Sequence, residues 1–169
     1  MYPEKYEEKS LHEHILLRPD AYIGSIKEHN QPLWIFDEIL LNAANNKRRD
    51  PSMDSITVKI DAVKKSISVR NNGNGVPVVK HVEKNVYIPQ VVFGHHLTSS
   101  HFDDNTTGGR IGYGAKLTNI FSAKFTIETA DGKNKFKQVF KENMAISSTP
   151  IVTPCQSTNK WTQVTFNLT

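Results

Sequence analysis

Apolar side chains recur at helical spacing in four stretches of the chain. These predicted helices cover residues 10–17, 33–49, 86–96 and 112–122. Ser10 can cap the first helix, because a serine hydroxyl accepts a hydrogen bond from an unpaired backbone N–H of the first turn. Pro32 suits the first turn of the long second helix, where a missing N–H costs nothing, and Pro51 ends it. The third helix begins near Pro89.

Five other stretches alternate between apolar and polar residues, which predicts strands with one buried face. They cover residues 54–61, 65–72, 124–130, 135–141 and 161–168. The segment around RPDAYIGS and the polar stretch 98–109 are predicted loops. The order of the elements predicts an α+β fold. It is a two-layer α/β sandwich with the helices on one face of a mostly antiparallel sheet, whose other face has no helical layer.

The size and composition of the chain indicate one globular domain. Its 169 residues are enough for a single core, so we expect one domain over 1–169. No apolar stretch approaches the length of a membrane span, the charged N-terminus argues against export, and Cys155 has no partner for a disulfide. The net charge of +4 is spread along the chain, so it permits binding to DNA without indicating it.

The long helix carries polar side chains within an apolar run. Glu38 and Asn42 are four residues apart and share a helical face, which Asn45 and Asn46 continue. This face is either the solvent side of the helix or a functional site. In a site, the Asn42 oxygen could bind Mg²⁺ and Glu38 could accept a proton from water.

Two glycine-containing segments suggest a further part of a site. In RNNGNGVP, the glycines at 73 and 75 form either an ordinary hairpin turn or a close approach to a flat polar ring that Asn72 would face. In TTGGRIGYGAKL, a glycine-rich loop precedes a helix, with Arg110 and Lys116 nearby. Backbone N–H groups and the helix dipole make such a loop a phosphate cradle, although the spacing is not that of a P-loop.

The sequence resembles the N-terminal ATPase domain of type IIA DNA topoisomerases, within the gyrase, heat-shock chaperone, histidine kinase and MutL (GHKL) superfamily. The eukaryotic topoisomerase II branch is most similar. The resemblance lies in EHILLRPDAYIGS, IFDEILLNAANNKRRDPSM, NNGNGVPVV, YIPQVVFGHHLTSS and GGRIGYGAKLTNIFS, which run through nearly the whole chain. It implies the Bergerat-type ATPase fold, with an N-terminal arm of about residues 1–12 and without the transducer and DNA-cleavage domains.

The resemblance also implies a role for each matching residue. It implies that Glu38 is the general base, that Asn42 is the Mg²⁺ ligand, and that Lys116 contributes charge to catalysis. The other implied ATP contacts are Asn46, Arg49, Asn72 facing the adenine amine, Gly75, Ser99, Ser100 and Thr162. The implied lid over the phosphates runs from Gly109 to Lys116 and includes Arg110, Gly112, Tyr113, Gly114 and Ala115. Tyr6 is implied to reach the nucleotide site of a partner subunit.

The whole enzyme that this family implies is an ATP-driven homodimer that captures duplex DNA in the nucleus; this domain alone is expected to bind DNA weakly or not at all. Four departures bear on that expectation. Asn45, His101 and Ile111 stand where the family usually has Asp, Asn and Asn, and the segment between Ser25 and Leu33 is short. The three substitutions and the missing transducer leave open a nucleotide-binding dimerisation clamp with negligible turnover. A MutL-type ATPase is a third reading.

Overall fold

The computed structural model describes residues 11–23, 31–94 and 111–168. Its helices are α1 (Leu11–Leu17), α2 (Pro19–Ile23), α3 (Gln31–Asn46), α4 (Ile88–Phe93) and α5 (Ile111–Ile120). Its strands are β1 (Ile56–Asp61), β2 (Ser66–Asn72), β3 (Ser122–Asp131), β4 (Asn134–Lys141), β5 (Ile146–Ser147), β6 (Ile151–Pro154) and β7 (Lys160–Leu168).

The strands form one antiparallel sheet in the order β1-β2-β7-β3-β4-β5, and β6 also pairs with β4. The last strand of the chain therefore lies in the middle of the sheet, between β2 and β3. Helices α3 and α5 pack against each other, and side chains of α3, α4 and α5 share the core with those of the sheet. This arrangement confirms the predicted α+β sandwich.

Alternation along the strands builds the core. Phe125, Phe136 and Phe166 are fully buried on the helix side of the sheet, and Leu117 and Ile120 of α5 are buried against them. A buried aromatic ring that is cut back to alanine typically costs about 3–5 kcal/mol, so these side chains hold the two layers together. The cavity described below lies at one edge of this core.

The structure differs from the predicted elements mainly at short segments. The predicted loop at Pro19 contains helix α2, since proline fits the first turn of a helix. Strands β5 and β6 were not predicted because they span only two and four residues, too short for alternation to be seen. The long helix ends at Asn46, before the predicted end at 49, and the predicted Ser10 cap lies outside the described residues. None of the described helices is both long and apolar enough for a membrane crossing.

Candidate functional site

A cavity of about 330 Å³ lies between α3, α4, the strands β2 and β7, and the loop that follows β2. Most of its wall is apolar. Ile39, Ala43, Val69, Val76, Pro77, Ile88, Val92, Phe93 and Val164 form that part. Asn42, Asn46, Arg49, Asn71 and Thr162 are its polar side chains, and Gly75 adds backbone. A mostly apolar cleft with a few polar groups is typical of a small-molecule site.

The loop after β2 is fixed to the end of β3. The N–H of Val76 donates to Thr129 Oγ1 at 3.0 Å, and the N–H of Val78 donates to Asp131 Oδ2 at 2.9 Å. Gly75 has a φ of +73°, and a Cβ there would lie 2.1 Å from the carbonyl oxygen of Ala130. Only glycine combines this conformation with so close an approach. The cavity wall at Val76 is therefore preformed.

Asp131 remains ionised to hold this loop. Burial alone would raise its pKa, but N–H groups of Asn134, Val78 and Lys133 donate to the carboxylate and hold the pKa below its ordinary value. A carboxylate that accepts several backbone hydrogen bonds is stabilised in its charged form.

Asp50 anchors the same loop from the α3 side. Its carboxylate accepts hydrogen bonds from the hydroxyl of Ser52 and, at 2.6 Å, from the N–H of Asn74, and both bonds lower its pKa. Gly73 has a φ of +106°, and a Cβ there would meet Asp50 Oδ2 at 2.3 Å. Gly73 therefore packs against Asp50, which follows α3, whereas Gly75 packs against the end of β3.

Thr162 presents a hydrogen-bond acceptor to the cavity. Thr129 Oγ1 donates its one proton to the carbonyl of Trp161 at 2.9 Å, and it lies 2.9 Å from Thr162 Oγ1. Because that proton is already used, the Thr162 hydroxyl must donate to Thr129. The remaining lone pairs of Thr162 then suit a ligand N–H group.

Asn72, predicted to face a bound ring, does not line the cavity. Its side-chain oxygen accepts N–H bonds from Asp54 and Ser55, both at 3.0 Å, and its amide donates to Asp54 at 2.6 Å. Asn71 lines the cavity instead and is only 6% exposed. Its Nδ2 donates to the carbonyl of Asn72 at 2.8 Å, and its side-chain oxygen accepts no bond from the described residues.

Asn42 lies at the cavity with a buried oxygen that has no partner. Its Oδ1 is inaccessible to solvent and accepts no hydrogen bond from any described residue. An unsatisfied buried polar atom costs about 1–3 kcal/mol. Among the described residues the side-chain oxygens of Asn119 and Gln138 share this condition, and of the three residues only Asn42 lines the cavity. Asn46 and Arg49 also line the cavity, as predicted, whereas Asn45 is exposed and outside the lining.

Glu38 lies one turn before Asn42, where α5 crosses α3. A Cβ on Gly114 would be 2.1 Å from Glu38 Oε2, so glycine at this position makes room for the carboxylate. Burial, and secondly the charge of Asp37, raise the pKa of Glu38 above its ordinary value of 4.5. A half-buried carboxylate with a raised pKa is suited to accept a proton near neutral pH.

Lys116 lies in the second turn of α5. It is half-buried, and burial followed by the charge of Lys84 lowers its pKa. Neither Lys116 nor Glu38 lines the cavity that the described residues form. Ala115 is fully buried in the core, so only its backbone could meet a ligand.

Several predicted site residues have no described side-chain environment. Gly112 and Tyr113 lie in the first turn of α5. Tyr6, Ser99, Ser100, His101, Gly109 and Arg110 lie outside the described residues.

The apolar wall formed by Ile88, Val92 and Val164 was not predicted as part of a site. Its residues follow ordinary core patterns, so the sequence gives no signal that they face a cavity.

Comparison with known proteins gives consistent matches. The family model described as histidine kinase-, DNA gyrase B-, and HSP90-like ATPase matches residues 30–168. The chain is 54% identical to DNA topoisomerase 2 of Pisum sativum over 188 residues, which cover 96% of this chain and 13% of that protein. It spans a similarly small part of the other curated relatives, such as the 45% identical DNA topoisomerase 2 of Saccharomyces cerevisiae.

Solved structures agree with the sequence matches. The ATPase region of Saccharomyces cerevisiae topoisomerase II superposes with a TM-score of 0.85 at 44% identity, covering 99% of this chain and 51% of that one. The 43K ATPase domain of Thermus thermophilus gyrase B superposes with a TM-score of 0.73 at 24% identity, covering 94% of this chain and 39% of that one. At that lower identity the second match supports the fold alone.

Proposed function

The chain belongs to the histidine kinase-, DNA gyrase B- and HSP90-like ATPase family, and from this premise we propose that it binds and hydrolyses ATP in the cavity beside α3. The observation that carries the proposal is the position of Asn42: of the described residues with a buried, unpartnered side-chain oxygen, it is the one that lines the cavity. Both the family and the chemistry of the lining support it.

The cavity suits an adenine ring. Most of its wall is apolar and suits the faces of an aromatic ring, with Ile88 and Val92 from α4 and Val164 from β7 among the lining residues. Thr162 and Asn71 bring oxygen acceptors into it, and adenine's exocyclic amine supplies N–H donors. The fixed loop at Gly75 and Val76 means that this slot exists before the nucleotide binds, which lowers the entropic cost of binding.

The same site fits Mg²⁺ through Asn42. Magnesium prefers oxygen ligands and usually shares them with water and substrate phosphates, so one amide oxygen from the protein is sufficient. When bound, the metal would neutralise charge on the phosphate oxygens. Asn42 Oδ1 would hold it, and Asn46 and Arg49 line the adjacent wall.

Glu38 is the base that we assign to hydrolysis. It lies on the same face of α3 as Asn42, and its raised pKa matches a group that takes a proton from water. Gly114 leaves the carboxylate room, while the packing of α5 on α3 limits its movement. Lys116, whose ammonium is held partly dehydrated on α5, would supply positive charge to the phosphates.

We expect Asn42→Ala to weaken binding of a non-hydrolysable ATP analogue at least tenfold in the presence of Mg²⁺, because the metal loses its protein ligand. The free energy of unfolding should stay constant or rise, since the variant removes an unsatisfied buried oxygen. Titration calorimetry and denaturant unfolding measure the two effects. Asn45→Ala, on an exposed position of the same helix, should change neither. Equal binding by both variants would contradict the proposed site.

We expect the rate of hydrolysis to fall as the solution is acidified, because the general base must be deprotonated. The midpoint of this fall should lie above pH 4.5, since the pKa of Glu38 is raised above that ordinary value. Asp37→Asn removes the second cause of the shift, so the acid limb of kcat should move to lower pH. Glu83→Gln, in an exposed turn, should leave the limb in place. An acid limb that does not respond to Asp37→Asn would mean that another group controls it.

For the whole protein we infer a type II DNA topoisomerase, on the strength of the 54% identity to the pea enzyme. ATP-dependent pairing of two ATPase domains, capture of duplex DNA and a nuclear location follow from the same relationship. If nucleotide binds tightly but no hydrolysis is measurable, the isolated chain would act as the clamp described above.

A further inference from the structure

The sheet has a second face, on the side opposite to α3, α4 and α5, which we call the outer face. Strand register assigns its residues, since successive side chains point to opposite sides. Val69, Val164 and Ile127 are in register with one another across β2, β7 and β3 and are buried on the helix side. Their neighbours along each strand therefore belong to the outer face.

Basic side chains predominate on the outer face. They are Lys59 on β1, Arg70 on β2, Lys124 on β3, and Lys135, Lys137 and Lys141 on β4. The acidic side chains are Asp61 and Glu128, which lie 4.0 Å from Lys64 and 3.8 Å from Lys137. Within residues 11–23, 31–94 and 111–168, no ion pair involves Lys59, Lys124 or Lys141.

The one aromatic ring on the outer face of the described sheet is covered by cations. The guanidinium of Arg70 lies 4.1 Å from the centroid of Trp161, and Lys135 Nζ lies 5.3 Å from it. Trp161 is consequently only 8% exposed. Proteins that bind single-stranded nucleic acid stack bases on exposed aromatic rings, and this ring is not available for stacking.

Hydroxyl side chains fill the space between the cations. Ser68, Thr165 and Thr126 lie in register across β2, β7 and β3, in the same row as Lys59. Adjacent strands are about 4.8 Å apart, so β1 to β4 span about 19 Å, and Lys135 to Lys141 extend about 20 Å along β4. About 20 Å of duplex carries on the order of ten phosphates.

We propose that the outer face binds the sugar–phosphate backbone of double-stranded nucleic acid without reading its sequence. Lysine, arginine and hydroxyl groups are the side chains that contact phosphates, and these contacts position a duplex without specifying bases. An acidic protein partner is less well matched. Protein interfaces are centred on buried aromatic or aliphatic anchors, whereas the exposed apolar residues of this side, Ile146 and Ile151, lie at its margin.

The test is fluorescence anisotropy of a labelled 20-base-pair duplex, measured at several KCl concentrations. The chain should bind with a dissociation constant of about 10⁻⁴–10⁻⁶ M, with affinity falling steeply as salt rises. The triple variant Lys59→Gln, Lys124→Gln, Lys141→Gln should bind at least tenfold more weakly. It should also lose about 2–3 from the slope of log K against log salt, since each lost phosphate contact removes about 0.9.

A matched control separates the face from overall charge. The variant Arg18→Gln, Arg48→Gln, Lys80→Gln has the same net charge, but its changes lie in exposed positions away from the outer face. It should retain affinity within twofold. Equal weakening of both variants, or no duplex binding by the unmodified chain at 50 mM KCl, would overturn the proposal.

Competition identifies the class of partner. Unlabelled duplex should displace the probe more effectively than a single strand of the same length or a polyglutamate peptide. Displacement by polyglutamate at equal or lower concentration would make the outer face a protein interface and overturn the assignment to nucleic acid. Calorimetry with the ATP analogue should give the same affinity for the triple variant as for the unmodified chain, because the cavity is on the helix side. Failure of either proposal therefore leaves the other intact.

Discussion

Replacing Glu38 by glutamine is expected to lower the rate of ATP hydrolysis by about 10²–10⁴-fold while leaving nucleotide affinity within a few-fold. Glutamine keeps the shape of the side chain, so the contact with Gly114 on α5 is preserved. It cannot accept the proton that water must lose. Removing a base from a preserved site reduces kcat far more than it changes binding.

Steady-state phosphate release and titration calorimetry check the two parts of this result. Asp37→Asn is the matched control, because it makes the same change from carboxylate to amide one residue earlier, on the exposed side of α3. It should retain most of the activity at neutral pH. Turnover by Glu38→Gln that equals that of Asp37→Asn would exclude Glu38 as the base. Loss of nucleotide affinity in Glu38→Gln would show that the carboxylate is needed for binding instead.

The fold could be predicted from the sequence to a large extent, because alternation is a strong signal in strands that are buried on one face. The longer strands, such as β4 over Asn134–Lys141, appeared within a few residues of their predicted positions. The pairing order could not be predicted. Nothing in the sequence of β7 shows that it lies between β2 and β3, since its pairing with β2 joins residues about 90 to 100 positions apart in the chain.

The sequence identifies which side chains lie together most readily where a helix fixes the residues that share a face. Asn42 and Asn46 both line the cavity because residues four apart on α3 point the same way. At Asn71 and Asn72 in strand β2 the sequence offers no such guide, and the structure places Asn71, not the predicted Asn72, in the cavity lining. A shift of one residue along a strand moves a side chain to the other face. The order Asn71-Asn72 alone cannot show which amide points inward; the pairing of Asn71 with Thr162 does.

The second large effect is expected at Gly75, where alanine should lower both stability and nucleotide affinity. The residue has a φ of +73°, and a new Cβ would lie 2.1 Å from the carbonyl oxygen of Ala130, which is backbone and cannot rotate away. The loop must therefore move and weaken the bond from Val76 to Thr129. We expect a loss of about 2–3 kcal/mol in the free energy of unfolding, from left-handed strain and a weakened hydrogen bond. Affinity for the ATP analogue should fall at least tenfold, because Val76 and Pro77 line the cavity.

Gly132 provides the matched control for this variant. It also has a positive φ, of +87°, but a Cβ there would lie 2.8 Å from Cε of the flexible Lys160 side chain and 3.0 Å from the Ser157 carbonyl oxygen, a milder clash in a turn that does not line the cavity. Gly132→Ala should cost about 1–2 kcal/mol of stability from the same backbone strain and leave nucleotide affinity unchanged. Denaturant unfolding and calorimetry on both variants separate the two effects. If Gly75→Ala binds nucleotide as tightly as Gly132→Ala, the fixed loop is not a wall of the nucleotide site, and the preformed slot is not the reason that the site binds ATP.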